Sequence, residues 1–195
     1  MPTCLDLQTL KAGFAERCKN FGGLGAEMYF VRFEDVATYA FNATTGVLET
    51  FTLKATKKLS KFYGRRVSGN SANTGFARGE NLATNPQTVT LVVDYDTQAD
   101  IDALSSFKGP EDIIIFYQTN AGKVKVAGLN KDMNLPRSLN GLRVTDMAFP
   151  EGQAIQDSTA ATITFNSENT VNPPVIVNLT AATGTQIAHL DTLAA

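Results

Sequence analysis

The chain has 195 residues, 43% hydrophobic and 18% charged, with a formal net charge of −2 and a sequence pI near 5.4. That length fills the core of one large domain without staples, and the charged fraction lies below the ~25% usual for soluble domains, with Thr, Asn, Ser and Gln filling the gap. With only Cys4 and Cys18, whose spacing could close one small loop, a disulfide framework is not expected, and the slight acidity gives no chain-wide support for binding nucleic acid or acidic membranes.

The opening Met-Pro-Thr-Cys-Leu-Asp has no basic n-region and no long apolar run. No signal peptide is expected, and both thiols are expected free in a reducing cytoplasm. No stretch approaches the ~18 apolar residues of a membrane span. Asn42 and Asn178 head glycosylation sequons that have no use without export.

Leu7, Leu10, Phe14 and Cys18 share one helical face, so residues 5–18 read as a short helix with Asp6 as N-cap. Phe21-Gly-Gly-Leu-Gly25 breaks it. Met28–Phe33, rich in aromatic and β-branched residues, predicts a strand. Thr44-Thr45-Gly46 is a turn, and Val47–Leu53 alternates as a half-buried strand should. Leu59–Val67 reads as a further strand. Residues 68–86, with three Gly and four Asn, read as one long polar loop.

Val89–Tyr95 is a strong strand whose apolar run implies a central position. Thr97 then opens the clearest helix, with Asp100 placed for a capping box and Gly109-Pro110 as the stop. Ile113–Tyr117 is the most apolar strand. Asn120-Ala121-Gly122 turns it back into Val124–Leu129 as a hairpin. Leu142–Met147 reads as a short strand. Across 160–166, Ala161, Ile163 and Phe165 alternate with Thr162 and Thr164, and a short Val175–Val177 run follows Pro173-Pro174. The last 18 residues, rich in Ala and Thr, read as an arm. The expected fold is therefore mainly β: an antiparallel β-sandwich or barrel with one flanking α-helix and extended loops. Its divisions are an N-terminal arm or helix (1–25), a sandwich (26–177) and a C-terminal arm (178–195).

Catalytic chemistry is poorly provided for. The sole histidine, His189, sits in the Ala/Thr tail rather than on a shaped element. Cys4 and Cys18 have neither CxxC spacing nor neighbouring histidines, and no phosphate-gripping or nucleophile-elbow motif occurs. Asp94, Asp96, Asp100 and Asp102 cluster at a strand-to-helix junction. A calcium loop starting at Asp94 would need Gly and Glu where the chain has Ala99 and Ser105, so acids complementing a helix dipole are the better reading. No catalytic, cofactor-binding or metal residue is assigned, and no enzyme activity is expected.

One charge pattern stands out. Lys54, Lys57, Lys58, Lys61, Arg65, Arg66 and Arg78 form a basic block without acids, and Glu80, Asp94, Asp96, Asp100 and Asp102 follow as an acidic block without bases. Three readings stand side by side: a solvated, balanced surface; a head-to-tail contact between copies, basic face to acidic face; or nucleic-acid binding, since Phe62, Tyr63 and Phe76 interleave with the bases.

In order and character these segments resemble the tail-tube (major tail) proteins of long-tailed bacteriophages and related injection machines. The segments concerned are KKLSKFYGRR, the polar loop, TVTLVVDY, TQADIDALSSF, DIIIFYQTNAGKVKVAGL and ATITFNSENTVNPPVIV. The resemblance spans residues 26–177 and implies a β-sandwich or barrel with a flanking helix. It implies six-membered rings stacked into a tube for DNA, with loop 68–86 and both termini bridging rings. Partners would be copies of the chain, other tail proteins and DNA as weakly held cargo, with no membrane and no cofactor, in the virion tail after assembly in the host cytoplasm. From a different class, a carbohydrate-binding or adhesin-like sandwich would present Tyr29, Tyr39 and Tyr63, although the chain has no tryptophan. An enzyme built on Asp94 or Asp96 is the third alternative.

Overall fold

Strand Ile113–Thr119 explains the architecture, because its Ile-Ile-Ile-Phe-Tyr run is buried on both sides. A strand with one wet face alternates apolar and polar residues, whereas one covered on both faces reads as a continuous apolar run. In the computed structural model this strand lies in the middle of a three-layered body. The structure describes residues 24–64, 70–78, 83–95, 97–109, 112–131, 140–150, 160–168, 170–182 and 184–195.

Among the described residues, thirteen strands follow in chain order. They are β1 (Leu24–Arg32), β2 (Val36–Phe41), β3 (Leu48–Leu53), β4 (Ser60–Tyr63), β5 (Ser71–Thr74), β6 (Ala77–Arg78) and β7 (Ala83–Thr84). Then come β8 (Gln87–Asp94), β9 (Ile113–Thr119), β10 (Val124–Ala127), β11 (Arg143–Ala148), β12 (Ala160–Ser167) and β13 (Val175–Ile176). Helix α1 (Gln98–Ser105) lies between β8 and β9, and α2 (Gln186–Ala194) near the C-terminus.

The middle layer is a five-stranded sheet in the order β13-β10-β9-β1-β4, with antiparallel neighbours throughout. A four-stranded antiparallel sheet, β11-β12-β8-β5, covers one face. Between them Met28, Phe30, Ile115 and Tyr117 meet Val89, Leu91, Ile163 and Phe165. The β2-β3 hairpin and α2 cover the other face, where Tyr29, Val31, Ile114 and Phe116 meet Leu48, Phe51 and Leu190. The expected antiparallel sandwich with a flanking helix is thus present, with a further layer behind it.

Local chemistry sets the element ends. Thr97 Oγ1 accepts from the Asp100 amide at 3.2 Å while Asp100 Oδ2 accepts from the Thr97 amide at 3.0 Å, the reciprocal capping box the sequence predicts. The turn between β2 and β3 is held by Asn42, whose Oδ1 accepts from the amides of Thr44 and Thr45. A four-ring aromatic cluster fixes the flank beyond α1. Phe107 lies 5.1 Å from Phe62, 5.3 Å from Phe30 and 5.4 Å from Phe165, ring centre to ring centre.

Three expectations need correction. The segment 36–41, given no element by the sequence, is β2. The segment 68–86, expected as an open loop, contains β5, β6 and β7; β5 pairs with β8 from Ser71 opposite Thr90 to Thr74 opposite Gln87. Polar or small side chains hid these strands; of β5 only Ala72 packs on the core, and β6 and β7 lie outside it. The C-terminal arm carries α2. Its Ile187, Leu190 and Leu193 fall on one helical face, and Leu190 is wholly buried. The predicted helix at 5–18 and the end of the predicted strand at 65–67 lie outside the described residues.

Two glycines with left-handed backbone give a contrast. At Gly141 (φ +88°) an added Cβ would meet Asp112 Cβ at 2.3 Å and its Cα at 2.9 Å, whereas at Gly122 (φ +77°) nothing lies within 4 Å. Gly122→Ala should therefore cost only the backbone penalty, about 1–2 kcal/mol. Gly141→Ala should cost clearly more, and urea unfolding of the two variants side by side measures the difference.

Candidate functional site

The outer face of the four-stranded sheet is a regular surface. Along β8 and β12 the buried Val89, Leu91, Ile163 and Phe165 alternate with Thr88, Thr90, Thr162, Thr164 and Asn166. The register sets Thr164 beside Thr90 and Asn166 beside Thr88. β5 extends the row with Ser71 beside Thr90 and Asn73 beside Thr88. The result is a face of hydroxyls and amides, with Val92 beside Thr162 among them, and no lysine or arginine on β5, β8 or β12. Its charges stand at the margins: Asp94 ends β8, and β11 carries Arg143 and Asp146. Arg143 is held by Asp112 at 2.7 Å, a bond that keeps its guanidinium even more firmly protonated than usual.

Both edges of this sheet are open among the described residues. β5 pairs only with β8, and β11 only with β12. β11 is interrupted by a register shift between Val144 and Asp146, the kind of irregularity that guards an edge strand against uncontrolled pairing.

From the end of this sheet a two-stranded ribbon continues outward. Gly75 N donates to Pro86 O at 2.8 Å, and β6 pairs with β7 through Ala77 opposite Thr84 and Arg78 opposite Ala83. Residues 73–78 are all exposed, and Phe76 keeps 71% of its surface in solvent. The base is anchored by buried polar groups. Gln87, wholly buried, accepts from Gly128 N at 2.9 Å and donates to Asn172 O at 2.6 Å. Asn85 and Thr170 exchange bonds of 2.6 and 2.7 Å. Removing a buried partner leaves its mates unsatisfied. Gln87→Ala should therefore destabilise the fold by about 2–3 kcal/mol, read as a shift in denaturation midpoint, whereas Thr74→Ala at the exposed end of β5 should change it little.

Three residues of the basic block, Lys57, Lys58 and Lys61, are engaged within the chain. Lys61 Nζ sits 2.6 Å from Asp191 Oδ1 on α2 and 3.2 Å from Glu27 on β1, and Tyr29 OH donates to the same Asp191 oxygen at 2.9 Å. Partial burial works against the Lys61 charge, but hydrogen bonds to Asp191, Tyr63, Glu27 and Tyr29 outweigh it and raise its pKa. The Lys61 bond in turn holds the Asp191 carboxyl below its ordinary value. Burial, then the Asp191 bond, pushes the Tyr29 phenol up, so it stays a neutral donor. Lys57 pairs with Asp35 at 3.1 Å and Lys58 bonds the Ala195 carbonyl. Burial raises the Asp35 pKa, but the bonds from Lys57 and Arg32 bring it below normal. Arg78 is exposed on the ribbon.

The acids are placed differently. Asp100 is the capping-box partner, Asp102 accepts from Gln98 at 2.8 Å, and Asp94 is exposed. Arg65, Arg66, Glu80 and Asp96 lie outside the described residues. Among the described residues, the structure does not gather the two blocks into one site. Among the described residues, no group of three or more His, Cys, Asp or Glu side chains is placed to hold a metal ion. Of the aromatics offered as a sugar platform, Tyr29 is fully buried, Tyr39 is half-buried and packs on Phe33 and Phe41, and Tyr63 alone is open. His189 lies on α2 as an ordinary helical residue.

A groove of about 490 Å³ lies beside β4. Phe62 and Phe107 line it, Arg32, Asp35 and Lys57 stand around it, and Ser60 and Ser106 add hydroxyls. No protein-family model, curated protein or solved structure matches the chain.

The Asp191 pair has a signed pH dependence. A carboxyl with a lowered folded pKa adds stability above its ordinary value of 3.8 and loses it as pH falls through the folded value. Asp191→Asn should thus be less stable than the parent at pH 7, by about 1 kcal/mol for a half-exposed pair. The gap should close as pH falls below 3.8. Thermal melts of both proteins across pH measure it.

Proposed function

We propose that this chain is a virion structural protein, a tail-tube subunit that assembles with copies of itself into stacked six-membered rings through which DNA passes. The observation that carries the reading is the outer face of the β11-β12-β8-β5 sheet. DNA moves along a wall without sticking only if the wall offers few cationic contacts to phosphate, since each contact adds attraction and counterion release. A face of Thr88, Thr90, Thr162, Thr164 and Asn166 suits such a wall. Its edges at β5 and β11, unpaired among the described residues, suit closure by neighbouring copies, because unpaired strand edges are satisfied by strand addition.

Assembly, rather than a pocket with catalytic groups, is the mechanism in this reading. Partners are further copies and other tail proteins, with DNA as weakly held cargo, and the destination is the virion tail. The contact inventory differs from the sequence expectation at one end. α2 packs on its own chain through Leu190 and Asp191, so the ribbon and sheet edges, rather than the C-terminus, are the described candidates.

Light scattering with negative-stain microscopy on the purified protein tests this. Rings or tubes with a central hole, and little retention of duplex DNA, are expected. A chain that stays monomeric at every concentration, with or without other tail components, would sink the reading.

A further inference from the structure

Two features have matching chemistry and share no residue. The first is the ribbon. An isolated two-stranded ribbon is marginal in water, yet this one has a base fixed by Gln87 and Asn85, and Phe76 stands exposed at that base, between Gly75 and β6. Only Phe76, Tyr63 and Ile176 are exposed large apolar side chains among the described residues, and Phe76 is the most exposed of them. A firmly based element presenting one bare aromatic ring has already met much of the ordering cost of association.

The second is the groove beside β4. Its Phe62 and Phe107 belong to the four-ring cluster, with centroid separations of 5.1–5.4 Å, and offer ring faces and edges to a fifth ring. A volume of about 490 Å³ exceeds what one benzyl side chain needs. Each cation of the lining is already engaged: Arg32 pairs with Glu34 and Asp35, Lys57 with Asp35, and Lys58 bonds the Ala195 carbonyl. An apolar ring therefore enters without burying a lone charge. Glu34, whose side chain is 66% exposed, can accept a second cation, and Arg78 lies two residues from Phe76 on the ribbon.

We propose that Phe76 of one copy seats in the Phe62–Phe107 groove of the next, with Arg78 reaching Glu34. Knob and groove are different surfaces, so the contact is head-to-tail and propagates from copy to copy. This rests on the self-assembly reading and names one contact within it.

The test places cysteines on the two sides in a Cys4→Ser, Cys18→Ser background. Ala77→Cys protein, which keeps Phe76, is mixed with Ser106→Cys protein under mild oxidation, and assembly of parent and Phe76→Ala proteins is followed by light scattering. Both sites are exposed, and circular dichroism verifies folding. The expected result is a covalent dimer in the mixture that neither protein forms alone, with Phe76→Ala needing about tenfold more protein to assemble. If the parent assembles while Phe76→Ala assembles equally well and no mixed link forms, the contact is wrong and the assembly reading survives. If the parent never assembles, both fail.

Discussion

Burial of the five-stranded sheet on both faces is the constraint on which the rest depends. β1 and β9 send Met28, Phe30, Ile113, Ile115 and Tyr117 to one side, and Tyr29, Val31, Ile114 and Phe116 to the other. A sheet so placed cannot leave either face wet, so it needs two covers. The four-stranded sheet supplies one, while the β2-β3 hairpin and α2 supply the second. Each of these outer elements then has one face committed to packing and one face free for other work. The hydroxyl face on β8 and β12 is what remains of a cover after its apolar half has been spent on the core.

The same constraint explains the position of the charge network. Lys61 lies on the edge strand β4 and bridges Glu27 on β1 to Asp191 on α2, while Leu59 N donates to Leu193 O at 3.0 Å beside it. These contacts fasten the helical cover to the rim of the sheet it protects. Ion pairs this exposed contribute little individually. Their effect is to fix where α2 sits, while the burial of Leu190 supplies most of the driving force.

Much of the fold was legible because its strongest elements obey local rules. The apolar runs of β1, β8 and β9, the Thr alternation of β12 and the Thr97–Asp100 cap all follow from residue pattern alone. β2 and β5 were not legible, since their side chains face solvent or a thin cover and their identity comes from backbone pairing with distant partners. α2 was obscured by an Ala/Thr-rich composition, although Ile187, Leu190 and Leu193 carried the helical spacing. The candidate surfaces were less legible than the fold. Runs of lysine and aspartate look like contact patches in one dimension, but Lys57, Lys61, Asp100 and Asp102 find partners within the chain. Nothing in the local sequence announces that Thr90 and Thr164 are neighbours, because 74 positions of chain separate them.

The β6-β7 ribbon, with Phe76 at its root, has a different standing from every other paired segment. Its side chains lie outside both apolar clusters, and the folding core closes without them. Substitutions there are screened by whatever the ribbon meets and hardly at all by the need to fold. Such a segment is free to drift or lengthen while the body behind it stays fixed, so two descendants of this chain can share a scaffold and yet no longer recognise each other.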